Sequence, residues 1–254
     1  MSLNQLVLPP GVPNNPAEKD RLPVEKDEIV SDSGKRYKLL SMLGDGGYGT
    51  VFLSMCDDEK VAVKTEKYSK SMLHIEVNVL KAANLANSKH FCTIYDYGSK
   101  KPDFVYVVMT LLGKDLHRLR SEMPDRKFSI NTATKLALQT LKACEELHRI
   151  GYISRDIKPG NFAPGIKENR QKRLVFMYDF GLARKYIDRN NNIIPARKDV
   201  GWRGTTRYGS LNAHYRQASM GILPMIGSRL AMPLFHCQSH WQSIGNAIGN
   251  GLGF

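Results

Sequence analysis

Asp156, Lys158 and Asn161 fall within one short stretch, Ser154-Arg155-Asp156-Ile157-Lys158-Pro159-Gly160-Asn161, and Asp179-Phe180-Gly181 follows soon after. These residue types suit phosphoryl transfer. The Asp156 carboxylate can orient a Ser or Thr hydroxyl and take its proton. Lys158 can neutralise charge on a moving phosphoryl group, while Asn161 and Asp179 can hold magnesium against a triphosphate. Taken alone, the stretch also looks like a polar loop rich in turn residues, so its meaning depends on what precedes it.

Such a site needs a partner that holds the nucleotide. Upstream, Gly44, Gly46 and Gly49 stand in the run Gly44-Asp45-Gly46-Gly47-Tyr48-Gly49. That spacing lets backbone amides approach phosphates, yet it also occurs in dinucleotide folds and ordinary turns. A dinucleotide site requires a helix directly after the glycines, whereas Thr50-Val51-Phe52-Leu53 reads as a strand, which favours a hairpin folded over ATP. Lys64 closes the apolar run Val61-Ala62-Val63-Lys64, and Glu76 follows within a helical pattern. Separately they are a strand-end lysine and a helix carboxylate. Paired, Glu76 would orient Lys64 onto the alpha and beta phosphates. The glycine run, the lysine strand, Arg-Asp-x-Lys-x-x-Asn and Asp-Phe-Gly then occur in the order the chemistry requires.

The elements that must position these residues are legible in outline. Strands are predicted over 37–43, 50–53, 60–64, 93–97 and 104–110, with a helix over 71–83 whose Leu73, Val77 and Leu80 share a side. The most regular helix begins at Ser129 as N-cap, repeats Ile130, Ala133, Ala137, Leu141 and Cys144, and stops at Gly151. It delivers the chain into the Asp156 stretch. The expectation is an α+β chain, a small antiparallel β lobe with one helix followed by a mainly α-helical lobe. The first residues, with Pro9-Pro10, Pro13 and Pro16, read as a flexible arm.

Composition narrows the setting without choosing a function. The 254 residues carry a formal charge of +13, which favours anionic partners. The four cysteines (Cys56, Cys92, Cys144 and Cys237) are far apart and suit free thiols in a reducing compartment. The apolar run over 218–235 is broken by Pro224, Gly227, Arg229 and Pro233, so no membrane span is expected. No signal peptide is evident, and the expected location is intracellular, in the cytoplasm and also in the nucleus. No nucleic-acid motif accompanies the basic charge, so no specific nucleic-acid partner is expected.

The chain resembles the eukaryotic protein kinases, and within them the casein kinase I group and its tau-tubulin-kinase-like branch. The resemblance rests on Val108-Met109-Thr110-Leu111-Leu112-Gly113, on Arg155-Asp156-Ile157-Lys158-Pro159-Gly160-Asn161-Phe162, and on Arg203-Gly204-Thr205-Thr206-Arg207-Tyr208-Gly209-Ser210-Leu211-Asn212-Ala213-His214. It runs from about Tyr37 to Gln217. It implies a bilobal fold with ATP between the lobes, Mg2+ as the metal, and transfer of the gamma-phosphate to protein hydroxyls. By resemblance, Met109 stands at the back of the adenine pocket, and Thr110 and Leu112 offer backbone hydrogen bonds to the base. Leu43, Val51 and Ala62 pack around it, and Thr205 hydrogen-bonds near Asp156 and Lys158. The group often prefers acidic or phosphorylated substrates; among the arginines and lysines of the activation segment, Arg207 is the expected phosphate contact.

The pattern departs from the family in three places. Ser154 stands where histidine is usual, which implies weaker packing beneath Asp-Phe-Gly, and Gly160 replaces a usual polar residue. After Gln217 the chain runs to Phe254 without Asp or Glu and without a counterpart of the family's next helix. The expected division is therefore an arm over 1–36, a nucleotide lobe over 37–112, a partial second lobe over 113–217 and a divergent tail over 218–254. A lobe cut short in this way would leave apolar surface for a partner to cover. The alternative reading is a truncated, catalytically impaired pseudokinase that acts as a nucleotide-binding or interaction module.

Overall fold

Alternation of buried and more exposed residues marks the strands of the first half. A computed structural model describes residues 19–46, 49–188, 190–195 and 201–215, with the side chains of Leu211 and Asn212 excepted. The tail over 218–254, the first eighteen residues, and Gly47, Tyr48, Arg189, Arg197 and Lys198 lie outside the described residues. Six strands form one antiparallel sheet: β1 (Glu28–Val30), β2 (Arg36–Gly46), β3 (Gly49–Cys56), β4 (Glu59–Lys67), β5 (Ile94–Lys100) and β6 (Phe104–Thr110). Their spatial order is β1-β2-β3-β4-β6-β5. One face buries Tyr37, Leu39, Phe52, Val63 and Val108 in a small core of its own. The other face looks toward the rest of the molecule.

Helix α1 (Leu73–Leu85) lies on that second face, burying Leu73, Glu76, Val77, Val79, Leu80 and Ala83. Its first amides are met from outside the helix. Glu66 accepts from the Met72 amide at 2.8 Å, and Ser71 Oγ accepts from the Leu73 amide at 2.9 Å. The helix ends where Asn87 enters the left-handed region at φ +51°.

The second half holds α2 (Leu116–Ser121), α3 (Ile130–Arg149), the short α4 (Leu211–His214) and two ribbons. β7 (Tyr152–Ile153) pairs with β10 (Arg184–Lys185), and β8 (Phe162–Pro164) pairs with β9 (Val175–Met177). Ser129 caps α3 as expected, its hydroxyl accepting from the Thr132 amide at 3.3 Å. Asp115 does the same for α2, accepting from Arg118 at 2.9 Å. The ribbons are an addition to the expected helical lobe. They carry the functional loops, because Asn161 directly precedes β8 and Asp179 closely follows β9.

A single large core runs through both halves. It joins Ala62, Val107 and Met109 of the sheet, Leu80 and Ala83 of α1, Ala143, Cys144 and Leu147 of α3, and Phe162, Met177 and Phe180 near the ribbons. Each fully buried Val, Leu, Met or Phe side chain of this core stabilises the fold by about 1.5–3 kcal/mol, so the core fixes the site that lies across it.

The expectation of an unstructured arm over 1–36 is corrected for its second part. Ile29 is buried and β1 pairs with β2 through Ile29 and Tyr37. Asp20 accepts hydrogen bonds from the amide and hydroxyl of Ser69, just ahead of α1. A three-residue strand flanked by charged residues gives too short an alternation to be read among prolines.

Candidate active site

The pairing register decides which side chains share the inner face of the sheet. Val51 lies opposite Lys64, Leu53 opposite Ala62, and Ala62 opposite Met109. Since directly paired residues point the same way and alternate residues repeat it, Val51, Ala62, Lys64 and Met109 line one surface. Ala62 and Met109 are buried, Val51 and Leu112 are half-buried against the same core, and Leu43 is exposed at the rim. Thr110 is buried too, but its amide already donates to the Thr93 carbonyl at 3.0 Å. Its carbonyl is the backbone group left to meet a base. Leu112 bridges to Gly165 through the flanking Gly113-to-Pro164 bond, so its own amide and carbonyl turn away from that partner.

Lys64 is the centre of the first charge cluster. Its Nζ lies 2.6 Å from Glu76 Oε2, 3.2 Å from Asp179 Oδ1 and 3.7 Å from Glu66 Oε1. Burial alone would lower the ammonium, but Glu76, Asp179 and Glu66 together outweigh it and hold it above the ordinary lysine value. Lys64 is therefore a fixed cation. Glu76 is almost wholly buried and depends on it for charge compensation.

Asp156 is the centre of the second cluster. Lys158 Nζ sits 2.8 Å from Asp156 Oδ2 and donates to Thr205 Oγ1 at 3.0 Å. The Thr205 amide and hydroxyl both donate to Asp156 Oδ1 at 2.8 Å. Asn161 Nδ2 donates to the Asp156 carbonyl at 2.8 Å and to Oδ2 at 3.3 Å. Burial raises the Asp156 carboxyl, but the Lys158 and Thr205 hydrogen bonds outweigh it and hold it below the usual carboxylate range. The result is a carboxylate kept charged and pointed.

Two backbone features deliver these partners. Arg155 adopts φ +66°, and its Nε donates to the Leu182 carbonyl at 2.7 Å, tying the loop to the segment after Asp179. Gly204 adopts φ +94°, and a Cβ there would stand 2.4 Å from the Arg155 carbonyl. Only glycine lets this segment come close enough to set Thr205 on Asp156.

The departures from the family pattern are compensated in different ways. Ser154 is buried and its hydroxyl accepts from the Asp156 amide at 3.2 Å. Phe180 is fully buried and stacks on Phe91, ring centroids 5.3 Å apart and planes at 16°. The expected weakness beneath Asp-Phe-Gly is thus answered by an aromatic pair. Gly160 has its carbonyl held by the Tyr178 hydroxyl at 2.6 Å.

The donors fit a divalent cation beside a nucleotide. The Asn161 amide nitrogen is committed to Asp156, so its oxygen is the group left to ligate. The Asp179 carboxylate, 46% exposed, meets Lys64 through Oδ1. Among the described residues no cluster of three or more His, Cys, Asp or Glu forms a metal cage.

In the glycine turn, Gly49 is required sterically, since a Cβ there would lie 1.8 Å from the Thr65 carbonyl. Gly44 and Gly46 meet no such obstacle. Arg207 is exposed in the 3-10 turn Thr206–Tyr208, and no ion pair among the described residues engages it. Sequence reading missed Glu66 and Tyr178. Glu66 stands two residues after Lys64 on β4, so strand alternation alone would have placed it on the same face.

A carboxylate held charged in a loop, a cation held by a helix carboxylate, and glycines where β2 gives way to β3 are an arrangement suited to phosphoryl transfer. Residues 37–209 match the protein kinase domain, and the chain belongs to that family. A probable serine/threonine-protein kinase of Dictyostelium discoideum is 36% identical over 183 residues, 70% of this chain. Two proteins of Caenorhabditis elegans are also similar. One, a serine/threonine-protein kinase, is 35% identical across 72% of this chain, and the other, a putative serine/threonine-protein kinase, is 32% identical across 87%. The matches span 36%, 48% and 65% of those three proteins' own lengths.

Proposed function

We propose that the chain is a serine/threonine protein kinase of the casein kinase I group, on its tau-tubulin-kinase-like branch, transferring the ATP gamma-phosphate to protein hydroxyls. The observation that carries this reading is the double hold on Asp156 by Lys158 and Thr205, across from the Lys64–Glu76 pair. Asp156 orients the acceptor hydroxyl and takes its proton, and Lys158 balances charge at the phosphoryl oxygens. Lys64, set by Glu76, holds the alpha and beta phosphates beneath the turn of Gly44, Gly46 and Gly49. Leu43, Val51, Ala62 and Met109 enclose the adenine, with the Thr110 carbonyl and the Leu112 amide as its polar partners. Asn161 and Asp179 would hold Mg2+, which when bound neutralises oxygens of the beta and gamma phosphates.

Arg207 gives the acceptor side an exposed cation, which supports a preference for acidic or phosphorylated protein substrates. We set the lobe boundary between 112 and 113. No helix among the described residues is long and apolar enough to cross a membrane.

The purified chain, given Mg2+ and ATP, is expected to phosphorylate an acidic protein on serine or threonine, read by mass spectrometry of the product. Asp156→Asn should lower the rate by at least about a hundredfold, the lower range for loss of general-base catalysis. Equal rates in the two proteins would remove Asp156 from its role.

A further inference from the structure

The residue just before Asp179 is a tyrosine that bonds twice to the catalytic loop. The Tyr178 amide donates to the Asn161 carbonyl at 3.0 Å, and its hydroxyl donates to the Gly160 carbonyl at 2.6 Å. Two consecutive carbonyls of the loop are therefore held by one residue, through its backbone and through the far end of its side chain. Gly160 has no side chain to fix it, and a Cβ there would meet only Lys158 Cε at 3.9 Å. The tyrosine supplies from across the site what the loop lacks.

The position of Tyr178 gives this clasp its meaning. It is the immediate neighbour of Asp179, whose backbone is in the left-handed region at φ +63°. Asn161 is fixed on its other sides by its amide to the Lys158 carbonyl at 3.0 Å and by its side chain to Asp156. Holding Gly160 and Asn161 against residue 178 thus sets the spacing between the two groups assigned to the cation. Outer partners that orient metal ligands typically govern metal affinity by tenfold or more.

We infer that Tyr178 is a positioning residue that fixes Asn161 relative to Asp179, and so sets the affinity of the site for a divalent cation beside bound nucleotide. This rests on the kinase reading above, and its test separates the two.

Mn2+ is the probe, titrated into protein saturated with a non-hydrolysable ATP analogue and followed by electron paramagnetic resonance. Tyr178→Phe removes only the hydroxyl. It is expected to weaken Mn2+ binding to the protein–nucleotide complex by about tenfold, the lower end for loss of such a partner. Affinity for the analogue without metal should stay within about twofold of the parent. Tyr186→Phe is the matched control, because that hydroxyl donates to the His148 carbonyl at 2.9 Å away from the loop. It should leave Mn2+ affinity unchanged. Parental Mn2+ affinity retained in Tyr178→Phe, or an equal loss in Tyr186→Phe, overturns the positioning role while leaving the kinase reading intact. A parent that binds neither the analogue nor Mn2+ with it overturns both.

Discussion

The two charge clusters use the same elements, a lysine and a carboxylate, under opposite conditions. Around Lys64, three carboxylates converge on one cation that is mostly withdrawn from water. Around Asp156, one carboxylate is shared among a lysine, a threonine and an asparagine. The first cluster holds geometry through desolvated charge, so removing its cation leaves uncompensated buried anions. The second holds geometry through hydrogen bonds that can be exchanged one at a time. A nucleotide's phosphates do not move during transfer of the last group, whereas an acceptor hydroxyl must give up a proton. Under the proposed function, the stiffer cluster would face the former and the more adjustable one the latter.

The largest expected effect comes from Lys64→Met. With Glu76 left buried without its cation, unfolding free energy should fall by about 3–5 kcal/mol, read from the denaturant midpoint. A loss below about 1 kcal/mol would erase the contrast between the clusters, since a single ordinary hydrogen bond contributes as much.

Thr205→Ala tests the second cluster. The hydroxyl is lost while the amide of residue 205 still donates to Asp156, so stability should change by about 1 kcal/mol or less. The depressed Asp156 carboxyl contributes stability above the ordinary carboxylate value of about 3.9, and loses it as pH falls through the depressed one. Removing a bond to the charged form raises that folded value. The acid limb of kcat/KM should therefore move to higher pH, and a limb that stays in place would detach Thr205 from Asp156.

Ser154→Ala carries the smallest effect on the transfer rate. One hydrogen bond to the Asp156 amide disappears, about 1 kcal/mol of stability, and the transfer rate should fall by no more than about threefold, a free-energy change below 1 kcal/mol. A larger loss would mean that Ser154, rather than the Phe91–Phe180 stack, supports the loop.

Most of the site could be read from sequence because its parts obey local rules. Lys64 ends an apolar strand, Glu76 follows on a helix of regular period, and Asp156, Lys158 and Asn161 are neighbours in the chain. Their meeting with Thr205 was legible only through the family resemblance, since nothing local sets a contact between residues as distant as 156 and 205. Tyr178 gave no signal, because a tyrosine beside an aspartate is ordinary until its hydroxyl is seen on Gly160. β1 was hidden by its length. Ser154 was read as a weakness because the missing histidine is visible in sequence and the Phe91 ring that packs beneath the site is not.

The continuous core has a consequence for how such a chain could be assembled from parts. The proposed boundary near Gly113 falls between two architectures, yet Met109 on one side and Leu147 and Phe180 on the other bury their surfaces in the same cluster. A recombinant half ending at that boundary would expose what the other half normally covers. Exchange of one half for that of a relative would require matched shapes across the seam. The two halves therefore stand or fall together, each completing the buried surface of the other.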